Sequence, residues 1–250
     1  MNDQLLQLYS QYWDGMIQNI YKANKESHPA AYPILIQVTQ HYQNATKRVM
    51  FCGQETYSWA SRECPNPDVT YPAELMHIYN VFVNHDNKGG RIERPGYYFR
   101  KLDNGQYKIV KANISPYWNF QWYIMQRNPE VGFVTQNIVK IGKRSDTGCD
   151  EFIFQQTKEY FPVWKKELEI LHPDCIIFLT GNHDYDRRIK EIAGDFKLCS
   201  VDGTDGLLKE LIFKDPSMPK AYRTNHPGWL QRNRKYKQIA SVLSNIIANL

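Results

Sequence analysis

The sequence predicts an α/β fold: a three-layer α/β/α sandwich with a central, mostly parallel four-stranded sheet. Two observations predict it. Short apolar runs at 49–52, 131–135 and 175–179, with a fourth strand at 220–224, are separated by segments with helical spacing. Each strand also ends on residues suited to chemistry: Gly53 to Glu55, Asn137, Gly181 to His183, and His226. Parallel strands deliver their loops at their carboxyl ends, where sites of α/β proteins gather.

The elements follow in order. Leu5, Leu6, Tyr9, Tyr12, Trp13, Met16 and Ile20 recur at helical spacing over 3–24, and a second helix is expected over 34–45. These N-terminal helices (1–46) precede the first strand. Pro65, Asn66 and Pro67 mark a loop, and 73–83 reads as a helix. The stretch 84–116 then changes character. Gly89-Gly90, Pro95-Gly96 and Asn104-Gly105 are turn signals, and Asn-Gly between 97–102 and 106–110 predicts a β-hairpin insertion. It is rich in Lys and Arg, which leaves two readings open: a nucleic-acid-contacting insertion, or a solvated surface loop.

An aromatic helix is expected over 117–127, ahead of the strand at 131–135. The amphipathic stretch 152–171 is interrupted by Pro162 and stopped at His172-Pro173. After the strand at 175–179 comes a helix over 184–192. Residues 196–213 carry no clear period. The strand at 220–224 and a helix over 236–250, with Ile239, Val242, Leu243, Ile246 and Ile247 on one face, complete a single 250-residue domain.

Composition narrows the function classes. The chain has a formal charge of +5 and a pI near 8.8, a mild lean towards an anionic partner. No run of about 18 apolar residues is present, so no spanning helix is expected, and the N-terminus does not read as a secretion signal. Five widely spaced cysteines without a Cys-x-x-Cys pair point to reduced thiols and a cytoplasmic protein. No metal, cofactor or membrane partner is expected, and a monomer is.

Four short motifs then carry a resemblance. Gly53-Gln54-Glu55-Thr56-Tyr57 resembles the first motif of the uracil-DNA glycosylase superfamily, Gly-Gln-Asp-Pro-Tyr-His in its best-known branch. The run from Gly132 to Asn137 is similar to that family's glycine, apolar strand and asparagine. Phe178 to His183 resembles its strand ending in Gly-Ser-His, and Thr224 to Pro227 its closing His-Pro motif. The order of the four matches the family's order over 48–230.

The resemblance implies cleavage of a deaminated or modified base, uracil first, from DNA by breaking the N-glycosidic bond of a flipped-out nucleotide. By the resemblance, Glu55 orients water or stabilises the sugar cation, and His226 stabilises the leaving base anion. Asn137 reads the edge of the base, Tyr57 walls the pocket, and Gly53, Gln54 and His183 border it. Arg223, Arg232, Arg234 and Lys235 border the mouth and are expected to hold phosphates of single- or double-stranded DNA. Tyr71 and Tyr79 are candidates for the ring that stacks on the base.

The sequence also departs from the branch. Glu55 stands for Asp, Thr56 for Pro, Ser58 for the motif's second His, and Gly228-Trp229-Leu230 for Ser-Pro-Leu. The alternative is therefore a catalytically inactive protein that binds a nucleic acid or nucleotide with the same pocket. Gly181-Asn182-His183-Asp184 also resembles an element of calcineurin-like metallophosphoesterases, but the chain lacks that family's Asp-x-His and Gly-x-His partners.

Overall fold

In the computed structural model, six strands form one mixed sheet, and helices pack against both of its faces. All residues are described except 24, 25, 57, 58, 61–63, 65, 67, 68, 85–95, 103–105, 145 and 182; of 97–101, 107, 109, 111, 112 and 183 only the backbone is described. The strands of the main sheet are β1 (Arg48–Glu55), β4 (Gly132–Val139), β5 (Cys175–Phe178), β6 (Phe196–Ser200), β7 (Leu208–Phe213) and β8 (Lys220–Thr224). Their order is β4-β1-β5-β8-β7-β6.

The four expected strands lie side by side and parallel, with β1 at Gly53 level with Asn137 of β4. The sheet nevertheless has six strands, not four. Residues 196–213 form the antiparallel pair β6–β7, and β7 extends the sheet along β8. Their pattern is unclear because four of the five β6 residues are exposed, so no alternation survives in the sequence. β2 (Tyr97–Lys101) and β3 (Tyr107–Ala112) pair antiparallel as a separate two-stranded sheet, as the Asn-Gly signal predicts. Of the basic side chains that would decide its two readings, Lys108 is exposed and the others lie outside the described residues.

The apolar runs are continuous because both faces of the central strands are covered. On β1, Met50 and Cys52 enter one core with the first helix, while Val49 and Phe51 enter the other with the last helix. The first core holds α1 (Asn2–Met16), α3 (Pro72–Tyr79), α5 (Glu151–Tyr160), α6 (Trp164–Leu171) and α7 (His183–Ala193). The second holds α4 (Pro116–Met125), α8 (Pro227–Arg232) and α9 (Tyr236–Ala248). Pro162 separates α5 from α6 as expected.

The helix expected over 34–45 shrinks to α2 (Gln40–Asn44), capped by Thr39. Residues 31–38 form no helix or strand and are mostly buried, because other groups supply their backbone partners. The Ile36 N–H donates to the Tyr9 hydroxyl at 3.1 Å and the Val38 N–H to Asn2 Oδ1 at 2.9 Å. The Tyr21 hydroxyl donates to the Ala31 carbonyl at 2.6 Å. Tertiary partners override local helix propensity here. Among the described residues, no helix is long and apolar enough to cross a membrane.

Candidate functional site

The carboxyl ends of β1, β4 and β8 meet the first turn of α4. Gly53 lies in register with Asn137, and a Cβ at Gly53 would sit 2.3 Å from Asn137 Oδ1 and 2.6 Å from the Tyr117 hydroxyl oxygen. Only glycine admits both groups at that distance. Asn137 is 6% exposed as a residue, and its amide oxygen faces Gly53. The Tyr117 hydroxyl is buried as well. Gln121 lies near enough to influence it, but no hydrogen bond of ordinary length and angle joins the two. Burial pushes the Tyr117 phenol far up, so it stays protonated and able to donate. A buried hydroxyl without a partner is costly in a folded chain, and here it converges with the Asn137 amide on one glycine.

His226 joins the same cluster. Its ring stacks on Tyr117 with centroids 5.7 Å apart and planes 12° from parallel. It also caps α8: Nδ1 accepts the Gly228 N–H at 3.1 Å, and Pro227 occupies the first helical position. An accepting Nδ1 leaves the proton on Nε2, so the neutral ring presents Nε2–H as its donor. Burial, helped by the Arg232 guanidinium, lowers the His226 pKa and favours that neutral form. Gly181 holds the backbone of this loop. Its φ is +87°, and a Cβ there would stand 3.2 Å from the His226 nitrogen.

Glu55 is engaged elsewhere. One carboxylate oxygen accepts the Gly148 N–H at 3.0 Å, and the other accepts the hydroxyl of Tyr185 on α7. Burial and the Glu55 charge both push the Tyr185 phenol up, which keeps it a donor. Among the described residues, no hydrogen bond joins Glu55 to Asn137, Tyr117 or His226. Gln54 turns away too, its amide donating to the Thr180 carbonyl at 2.7 Å. Tyr57 and the side chain of His183 lie outside the described residues.

The basic cluster divides. Arg223 is held internally, with two bonds to Asp186 (3.0 and 2.6 Å) and one to the Gly181 carbonyl at 3.1 Å. Lys235 pairs with Asp205 at 2.9 Å. Arg232 and Arg234 are exposed and carry no ion pair among the described residues. Neither proposed stacking ring serves. Tyr79 is sealed in the core and accepts the Thr135 N–H, while Tyr71 is 63% exposed.

Sequence reasoning missed Tyr117. Its place, just after Pro116 at the start of α4, reads in the sequence as one more aromatic of a buried helix. Only the crossing of that first turn over Gly53 distinguishes it. Among the described residues no group of His, Cys, Asp and Glu is arranged to hold a metal ion. No family model matches the sequence, and no curated protein matches it either.

Proposed function

We infer that the chain recognises a nucleobase at Gly53, Asn137, Tyr117 and His226 and hydrolyses its N-glycosidic bond in DNA, with uracil as the first substrate to test. One observation carries this reading: the Tyr117 hydroxyl, buried without a partner, and the amide of the buried residue Asn137 converge on Gly53. An amide offers one donor and one acceptor side by side, which matches the paired hydrogen-bonding edge of a base. The resemblance of the four motifs to the uracil-DNA glycosylase superfamily points the same way.

In the proposed reaction, the bond between the base nitrogen and the sugar C1′ breaks, and its electron pair leaves with the base. Water adds to C1′, and one of its protons is released. The departing base carries its negative charge on the ring nitrogen and, by resonance, on an exocyclic carbonyl oxygen, which a neutral imidazole Nε2–H stabilises by hydrogen bonding. His226 has that tautomer available. Glu55 supplies the negative charge near the sugar cation.

A second reading, base or nucleotide binding without cleavage, is favoured by the state of Glu55. Both of its oxygens already accept hydrogen bonds, from Gly148 and Tyr185, so its hold on a water is weakened. An end-labelled oligonucleotide with one uracil or hypoxanthine separates the two. Release of base by the wild type, lowered at least about 100-fold in both Glu55→Gln and His226→Ala, supports the glycosylase, since a lost oxyanion donor costs that much. Tight binding without release supports the binding protein. Neither binding nor release from any lesion rejects both.

A further inference from the structure

A cavity lies between α5, α6 and α7, on the sheet face opposite α4 and α9. Its volume is about 220 Å³. It exists because Pro162 cannot continue the helix: α5 ends at Tyr160 with Phe161 as its cap, where φ is −142° and ψ is 55°, and α6 starts at Trp164. The Val163 N–H turns back to the Phe161 carbonyl at 2.9 Å, so the chain bends sharply around the gap.

Phe154, Phe161, Val163 and Trp164 line the cavity and are almost fully buried. The polar groups at its base are already satisfied. Lys140 pairs with Glu167 at 2.6 Å, and the Trp164 indole N–H donates at 3.1 Å to Gln136, in the amide orientation that its neighbours require. The accessible part of the lining is different. It carries two amines, Lys158 and Lys165, against one carboxylate, Glu191. Lys158 is tied to Glu191 at 2.7 Å, whereas the ion pair of Lys165 among the described residues is the longer one to Asp215, at 3.8 Å. A void left by imperfect packing would be closed and apolar throughout. This one is apolar inside and cationic at its accessible edge.

We propose that this cavity is a binding site for a small aromatic carboxylate, its ring against Phe154, Phe161 and Trp164 and its charge at Lys165. An apolar cavity of roughly 150 Å³ accepts benzene, so this volume suits a ring with a short acidic arm, on the order of ten non-hydrogen atoms. The aromatic walls favour a ring over a straight chain through offset and edge contacts. The site shares no residue with the Gly53 cluster and does not rest on the glycosylase reading.

Titration of the intact protein with 3-phenylpropionate, followed by ligand-observed NMR, tests it. Saturable binding is expected, roughly millimolar for a ligand of this size. Ile192→Trp, which fills the cavity from α7, abolishes that binding. Lys165→Glu weakens it about fivefold, the scale of one partly exposed ion pair, and leaves the uncharged 3-phenylpropanol unchanged. Lys165 is an exposed side chain, so this variant remains informative if Ile192→Trp does not fold. The proposal is overturned if the wild type shows no saturable binding of 3-phenylpropionate. Binding that is indifferent to both substitutions overturns it equally.

Discussion

His226 is held by three contacts that all act on its protonation. The Gly228 N–H needs an accepting Nδ1, the Tyr117 ring removes one face from water, and Arg232 repels an added proton. A depressed histidine pKa has a definite sign in the stability of the fold. Above about pH 6.5 the ring is neutral in both folded and unfolded chains and contributes no pH dependence. As pH falls below that value, the unfolded chain takes up a proton that the folded site resists. Stability therefore drops, and the drop ends once pH passes below the folded pKa. His226→Gln keeps a cap acceptor but removes the titration. Its unfolding free energy, measured by urea titration between pH 7.5 and 5, should fall less steeply than that of the wild type. Identical slopes would mean that His226 is not held neutral. The carboxylate of Glu55 shows how far a single residue can be read from a sequence. Its place at the carboxyl end of a strand was legible, but its partners were not, because Gly148 and Tyr185 are 93 and 130 positions away.

Among the elements, β4 and α6 are joined by a buried polar chain. Glu167 of α6 is fully buried, pairs with Lys140 just beyond β4 at 2.6 Å, and accepts the Tyr9 hydroxyl at 2.6 Å. Gln136 completes it by donating to the second Glu167 oxygen at 2.7 Å. Burial raises the Glu167 pKa against the pull of Lys140 and Tyr9. Such a pair adds little net stability over an apolar replacement, but removal of one member strands the other charge. Glu167→Ala should therefore destabilise the fold by about 3–5 kcal/mol, and Glu167→Leu with Lys140→Met by clearly less. Equal losses in single and double variants, measured by chemical denaturation, would show that the charges are not coupled. This chain also marks what patterning conceals. The strands β1, β4, β5 and β8 were legible because burial on both faces leaves unbroken apolar runs. Glu167 reads in the sequence as an ordinary surface position of an amphipathic helix, and nothing local reveals that Lys140 meets it. The irregular run at 31–38 escaped for the same reason, since backbone partners come from side chains far along the chain.

Over the whole molecule, the mild positive charge resolves into cations that are spent and cations that are available. Arg223 looked like part of a phosphate-binding cluster, yet it joins β8 to α7 through Asp186, with both side chains only about a tenth exposed (12% and 11%). Lys235 is partly neutralised by Asp205. Arg232 and Arg234 remain, beside the helix that His226 caps and close to Trp229, which is 38% exposed. If DNA reaches the Gly53 cluster, these two arginines are the side chains placed to meet its phosphates. Each phosphate neutralised by a protein cation releases condensed counterions, so log K falls with log salt by about 0.9 per contact on duplex and 0.7 on single strands. The double variant Arg232→Ala, Arg234→Ala should lower that slope by roughly 1.4 to 1.8 and leave the unfolding midpoint nearly unchanged. Arg223→Ala should do the opposite: it leaves Asp186 unpaired, costs roughly 3 kcal/mol of stability, and changes the salt slope little. Anisotropy titrations of a labelled oligonucleotide at several salt concentrations, with a thermal melt of each variant, separate the two classes. A salt slope that follows Arg223 rather than Arg232 and Arg234 would place the nucleic-acid path on the β8–α7 side of the sheet edge.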